Sequence, residues 1–244
     1  MLSKKIKSLK ALYLKGSFED EGISLLDLKD LMINSSKLDI PVAVKIGGCE
    51  ARNDIKNCLR AGVSSVVAPM VESNFAAQKF ILAIGSLCGT DVNKHINIET
   101  QIACKDIEAI LKENHRHLTG IVVGRSDLAC SMGLTKKDVD SCEVTQYVEK
   151  ALTVAKKLGL TTTMGGSVST RSSDIIANFS YNGLLDRFET RAVVFSATVD
   201  VEFTKEQIGA AVEYEIELLK ERRDLHSQLV DKHEKRIGTM MERK

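Results

Sequence analysis

Short runs of consecutive apolar residues alternate with longer amphipathic segments along this chain. The runs are Ala11–Phe18, Pro41–Ile46, Ser64–Met70, Ile96–Thr100, Gly120–Gly124, Thr161–Met164 and Arg187–Phe195. Val42-Ala43-Val44 and Ile121-Val122-Val123 are apolar at every position. A strand covered on both faces reads this way, as in a parallel sheet, whereas a strand with one wet face alternates. Between the runs, Leu25–Ile33, Asn53–Ala61, Asn74–Leu87, Lys105–Leu111 and Val144–Leu158 have the character of helices. The last of them closes on Gly159, a common helix stop.

Alternation of strand and helix with short loops predicts an α/β fold with a parallel sheet. The reading is a (β/α)8 TIM-type barrel occupying residues 1–203, with seven strands counted and the eighth expected to be short. An open doubly wound sheet is the competing architecture, but no G-x-G-x-x-G follows any of the runs. Residues 204–244 differ: Ile208, Val212, Ile216, Leu219, Leu225 and Leu229 trace an apolar stripe on a charged background. This segment is expected to be a long helix or helix pair serving as an oligomerisation element, the alternative being a tail folded back on its own barrel.

Composition removes several function classes. The 244 residues carry a formal net charge of +1 and no Trp, which gives no basic, aromatic-studded surface for nucleic acid. No apolar run approaches the ~20 residues that span a bilayer. The basic start, Met1 to Lys7, is followed by no long apolar stretch, so a signal peptide is not expected. The six Cys form no C-x-x-C pair and read as buried free thiols of a cytoplasmic protein.

In a barrel of this kind chemistry gathers at the C-terminal ends of the strands. The polar residues there are Glu19 and Asp20, Lys45, Glu72, Glu99, Asp127, the turn Gly165-Gly166-Ser167, and Glu189 with Arg191. None of the five His ends a strand, which argues against a His-based zinc site. Two strand-end carboxylates, Glu99 and Asp127, suit Mg2+ or Mn2+, which take oxygen ligands and keep positions for water or substrate. Such acids also often only cap the following helix. Lys45 could equally be a structural lysine paired with Glu19, and Glu72 a helix-start carboxylate. Asn97 shares the parity of Glu99 and is expected to face the mouth.

Ile98-Glu99-Thr100, then Gly124-Arg125-Ser126-Asp127-Leu128-Ala129 and Met132-Gly133-Leu134, resemble the HpcH/HpaI aldolase and citrate lyase β-subunit family. Gly62 to Ser73 resembles a further strand of that family, Phe18-Glu19-Asp20 its acidic strand end near the N-terminus, and Phe188-Glu189-Thr190-Arg191 its last strand. The resemblance implies that Glu99 and Asp127 hold the divalent metal, and that the amides of Arg125 and Ser126, with Gly124 permitting close approach, receive a substrate carboxylate. The Arg125 side chain is expected either to bind an anionic substrate tail or to lie in a subunit contact. Asn97 and Glu72 complete the expected substrate-binding set.

The sequence departs from the pyruvate aldolases of that family in two places. Lys45 stands where they have Arg, keeping the charge but losing the planar fork. Asp20 stands near their catalytic His, closer to the citrate lyase branch. The expected activity is a metal-dependent carbon–carbon lyase acting on a pyruvate- or oxaloacetate-like 2-oxo acid, with Lys45 beside the oxyanion and Asp20 or Glu19 moving the proton. Citrate lyase-like cleavage of an acyl-CoA thioester, a Schiff base on Lys45, and a degenerate barrel retained for ligand binding or assembly stay open. The expected partners are the small substrate and further copies of the chain, exchanged through the C-terminal helices as the resemblance implies.

Overall fold

The computed structural model describes residues 2–19, 21–87 and 91–243. Eight strands close into one barrel in sequence order: β1 (Ala11–Ser17), β2 (Val42–Lys45), β3 (Ser65–Ala68), β4 (Asn93–Ile98), β5 (Gly120–Gly124), β6 (Thr161–Gly165), β7 (Arg187–Glu189) and β8 (Val193–Ser196). Strands β1 to β7 pair in parallel, and β8 pairs antiparallel with both β7 and β1. The run Arg187–Phe195 is therefore two strands folded as a hairpin, its turn closed by the Thr190 amide donating to the Val193 carbonyl at 2.9 Å. Antiparallel neighbours need only a tight turn, so no helix lies between them. This accounts for the strand that periodicity left uncounted.

Among the described residues ten α-helices surround the barrel: α1 (Leu2–Ser8), α2 (Leu25–Leu38), α3 (Arg52–Ala61), α4 (Asn74–Gly85), α5 (Gln101–Lys105), α6 (Ile107–Leu111), α7 (Arg125–Ser131), α8 (Cys142–Lys157), α9 (Ser173–Tyr181) and α10 (Val201–Met241). Their starts are chemically marked. Ser24 and Asp27 form a reciprocal capping box on α2, and Ser73, Thr100, Ser141 and Asp200 each accept an amide of the first turn of α4, α5, α8 and α10.

Outward-facing strand residues Val44, Val66, Ile96, Ile98, Ile121, Val123, Met164 and Phe188 are fully buried under the helices, where they meet Ile55, Phe80, Ile107, Val148 and Leu152. Each such side chain contributes roughly 1.5–3 kcal/mol by leaving water. Alternate residues point the other way, into the barrel. That interior is polar at its base: Ser65 bonds His95 Nδ1 at 3.0 Å, and Arg187 lies over the Tyr13 ring.

Because β8 runs opposite to the rest, α10 starts at the end of the barrel away from the mouth. Its first half packs between α1 and α9, burying Thr204, Gln207, Ile208, Ala210, Ala211 and Tyr214. That half fills the place of an eighth barrel helix, so residues 203 and 204 lie inside one continuous helix. Residues 219–243 are all exposed. The thiols depart from expectation as well: Cys58 and Cys104 are buried, Cys49 is half-buried, and Cys130 and Cys142 are exposed because each sits on the outer face of its helix. Cys88 lies outside the described residues.

Candidate active site

The strand ends enclose a cavity of about 290 Å3. Lys15 and Ser17 enter it from β1, Lys45 from β2, Asn97 and Glu99 from the end of β4, and Gly124 from β5. Ser126 and Asp127 come from α7, Gly166 and Ser167 from the turn after β6, and Glu189 and Arg191 from the β7–β8 hairpin. Val212 and Glu215 of α10 complete one wall. Of the residues expected from sequence, the structure brings together Lys45, Asn97, Glu99, Gly124, Ser126, Asp127, Gly166, Ser167, Glu189 and Arg191.

Among the described residues Glu99 is the most enclosed acid, with 2% of its surface exposed. Its Oε1 accepts the Met70 amide at 2.7 Å and its Oε2 accepts Asn97 Nδ2 at 2.9 Å. Burial pushes its pKa up; the Met70 amide, Lys45 and Asn97 pull it down, and the charge of Asp127 raises it again. Gly124 is required here by space. A Cβ at this position would lie 2.6 Å from Glu99 Oε2, so any side chain would displace the carboxylate.

These donors fit a divalent cation. Two carboxylates offer oxygen, a buried acid gains most from a cation beside it, and each Glu99 oxygen keeps a lone pair after its one hydrogen bond. Asn97 Oδ1 is buried without a hydrogen-bond partner among the described residues, an open acceptor at the edge of the same cavity. Among the described residues no group of three or more His, Cys, Asp or Glu is placed to hold a metal, so a cation here would rest on two protein ligands and take its other oxygens from water or substrate.

Lys45 Nζ forms an ion pair with Glu19, and both the ammonium and its stem are buried. Asp20 lies outside the described residues. Two of the sequence expectations are corrected. Glu72 is exposed and does not line the cavity. Met70 takes a left-handed φ of 51° just beyond β3, which turns the Met70 amide toward Glu99 and carries Glu72 out to the start of α4. The Arg125 side chain, 1% exposed, does not line the cavity either. It turns inward to Asp140, Ser172 and the carbonyls of Gly165 and Gly166, so it neither meets an anionic substrate tail nor reaches a subunit surface.

Several lining residues went unread in the sequence. Lys15, in a buried ion pair with Glu189, stands inside an apolar run. Its parity with Tyr13 and Ser17 was the available signal. Glu21, also unread, pairs with the expected Arg191 at 3.1 Å across the rim. Burial raises the Glu21 pKa, although Arg191 and Lys15 act against it. Lys136, on the loop after α7, reaches the cavity from outside any strand, and no strand-end rule finds it.

The family model for HpcH/HpaI aldolase/citrate lyase matches residues 41–172, a stretch that carries Lys45, Glu99 and Asp127. The chain belongs to this family. Membership supports a lyase- or aldolase-type activity, and the family is generally dependent on a divalent metal. No curated protein sequence matches the chain. Solved structures agree on the fold. An HpcH/HpaI aldolase from Desulfitobacterium hafniense superposes with a TM-score of 0.63 at 13% identity, over 77% of this chain and 79% of that one. The citrate synthase SbnG gives 0.64 at 16% identity, over 91% and 90%. A family protein from Burkholderia cenocepacia gives 0.61 at 16%, over 91% and 90%.

Proposed function

We propose that this protein is a divalent-metal-dependent carbon–carbon lyase that cleaves or forms a 4-hydroxy-2-oxo acid through a pyruvate-type enolate. The observation that carries this reading is the convergence of Glu99, Asp127 and Lys45 on one cavity at the strand ends. A cation held by Glu99 and Asp127, Mg2+ or Mn2+, would supply Lewis-acid charge to the developing enolate oxygen.

The protein's own groups do the rest. The amides of Arg125 and Ser126 receive the substrate carboxylate, over which Gly166 carries no Cβ. Lys45, paired with Glu19, sets a second positive charge beside the C2 oxygen. In the cleavage direction Glu19, or a water it holds, takes the proton of the C4 hydroxyl, C4–O becomes a carbonyl, the C3–C4 bond breaks, and its electron pair forms the C2–C3 double bond as the C2 carbonyl becomes an enolate. Glu19, or a water it holds, returns a proton to C3. A Schiff base needs a neutral, desolvated amine, whereas Lys45 stands in an ion pair with Glu19.

The test needs no knowledge of the aldehyde half. Proton NMR of pyruvate in D2O follows exchange of the C3 hydrogens. Exchange that requires the protein, ceases with chelator and returns with Mg2+ or Mn2+ supports the reading. Exchange indifferent to chelator contradicts it.

We further propose that the protein is a homo-oligomer joined through α10. The exposed part of α10, residues 219–241, extends about 35 Å at 1.5 Å per residue, and Leu219, Leu225, Leu229, Val230 and Ile237 stand exposed along it. Monomers seldom tolerate so long an uncovered apolar array. Among the described residues no helix is long and apolar enough to cross a membrane.

A further inference from the structure

A fully buried guanidinium is costly unless each donor finds an acceptor. Arg125 meets this demand in an unusual way. Its Nε donates to the Gly165 carbonyl at 3.1 Å, and Nη2 donates to the Gly166 carbonyl and to Ser172 Oγ, each at 3.2 Å. Its Nη1 donates to Asp140 Oδ1 at 2.5 Å and to the Val139 carbonyl at 3.5 Å. One rigid fork therefore holds two consecutive carbonyls of the turn after β6 and the far end of the loop that bears Lys136. A lysine offers a single nitrogen and would not span them.

The turn so held is strained and close-fitting. Gly166 and Ser167 both take left-handed backbone, with φ of 80° and 50°, a region that serine seldom occupies. Gly166 rests against the backbone of α7, where a Cβ would lie 2.5 Å from the nitrogens of both Arg125 and Ser126. Beside it, the Ser126 and Ser167 hydroxyls share a hydrogen bond of 2.8 Å. Ser126, Asp127, Lys136, Gly166 and Ser167 all line the cavity. The side chain of Arg125 thus fastens the turn that covers its own amide.

We infer that Arg125 is a positioning residue: its buried side chain locks the Gly165-Gly166-Ser167 turn over the start of α7 and so shapes the seat of the substrate carboxylate next to Asp127. The inference rests on the reaction class proposed above. It assigns Arg125 no contact with substrate. It separates two properties: Glu99 and Asp127 hold the cation without the turn, whereas the carboxylate seat depends on it.

The test uses the full-length protein, Arg125→Lys, and the double variant Arg125→Met with Asp140→Asn, which leaves no buried acid unpaired. Calorimetry measures Mn2+ binding, then oxalate binding to the Mn2+-loaded protein, with oxalate standing for a planar 2-oxo acid, and thermal unfolding checks the fold. Both variants are expected to keep Mn2+ affinity within about 3-fold and to lose oxalate affinity by about 10–100-fold, the range typical of supporting residues around a metal site. In a third variant, Arg125→Ala, methylguanidinium should restore part of the oxalate affinity. Unchanged oxalate affinity, a parallel fall in both affinities, or loss of folding in every variant overturns the inference. Absence of Mn2+ binding by the unaltered protein overturns the reaction class itself.

Discussion

Gly124 and Glu99 occupy adjoining strand ends so closely that a single added Cβ on Gly124 would lie 2.6 Å from Glu99 Oε2. The carboxylate is held by the Met70 amide and by Asn97, so it can yield only by breaking these bonds and moving toward the cavity. Gly124→Ala is expected to destabilise the fold by about 1–3 kcal/mol, the usual cost of overpacking, and to weaken Mn2+ binding by about 10-fold or more as the ligand shifts. Thermal unfolding and calorimetry check the two effects. A variant with unchanged metal affinity would show that Glu99 does not need the position described.

Lys45 is assigned charge, not covalent chemistry. Lys45→Arg should retain more activity than Lys45→Ala, for which a loss of about 10²–10³ in kcat is expected from removing one stabiliser of a developing oxyanion. Borohydride in the presence of pyruvate should leave Lys45 unmodified by mass spectrometry. A trapped adduct on Lys45 would replace the metal mechanism with a Schiff base.

The strands and the central site residues were legible because both obey simple rules. Ile121-Val122-Val123 reads as a doubly covered strand, and Glu99 and Asp127 lie just beyond the ends of the successive strands β4 and β5, inside a recognisable motif. Two of the failures share one cause: chain direction is set by turns that hydrophobic pattern does not encode. The three residues Thr190 to Ala192 reverse the chain inside what reads as one apolar run, hiding β8. The left-handed Met70 swings Glu72 away from the mouth. Arg125 follows a strand end, as a substrate ligand would, yet it begins a helix whose geometry sends its side chain back into the core. Lys15 and Glu189 balance each other inside the barrel, and only the closed sheet makes them neighbours.

His95 ties stability to pH. Burial, with a smaller contribution from Arg187, pushes its pKa down from the usual 6.5 to about 4. The folded state therefore keeps it neutral while the unfolded chain takes up a proton as pH falls through 6.5. Stability should decline from there and level off below about 4. Between pH 7 and pH 5 the loss attributable to His95 is about 2 kcal/mol. Urea unfolding at the two pH values, compared with His95→Gln, should show that the variant lacks this component. Equal pH dependence in both proteins would contradict the assignment.

Helix α10 does two jobs along its length. Truncation at Asp200 removes Ile208, Ala211 and Tyr214 from the core and should prevent folding. Truncation after Leu218 keeps that packing and removes only the exposed half. Light scattering should find the full chain oligomeric and the chain ending at Leu218 reduced in size yet folded by circular dichroism. A full chain that is monomeric at micromolar concentration rules out the proposed interface.

The central claim is that Glu99 and Asp127 together hold a divalent cation in the barrel mouth. Calorimetric titration with Mn2+ tests it directly, comparing the unaltered protein with Glu99→Gln and Asp127→Asn. Each substitution removes one charge and preserves shape, so both variants should fold, and each should lose detectable Mn2+ binding. Mn2+ affinity unchanged in either folded variant would contradict the account.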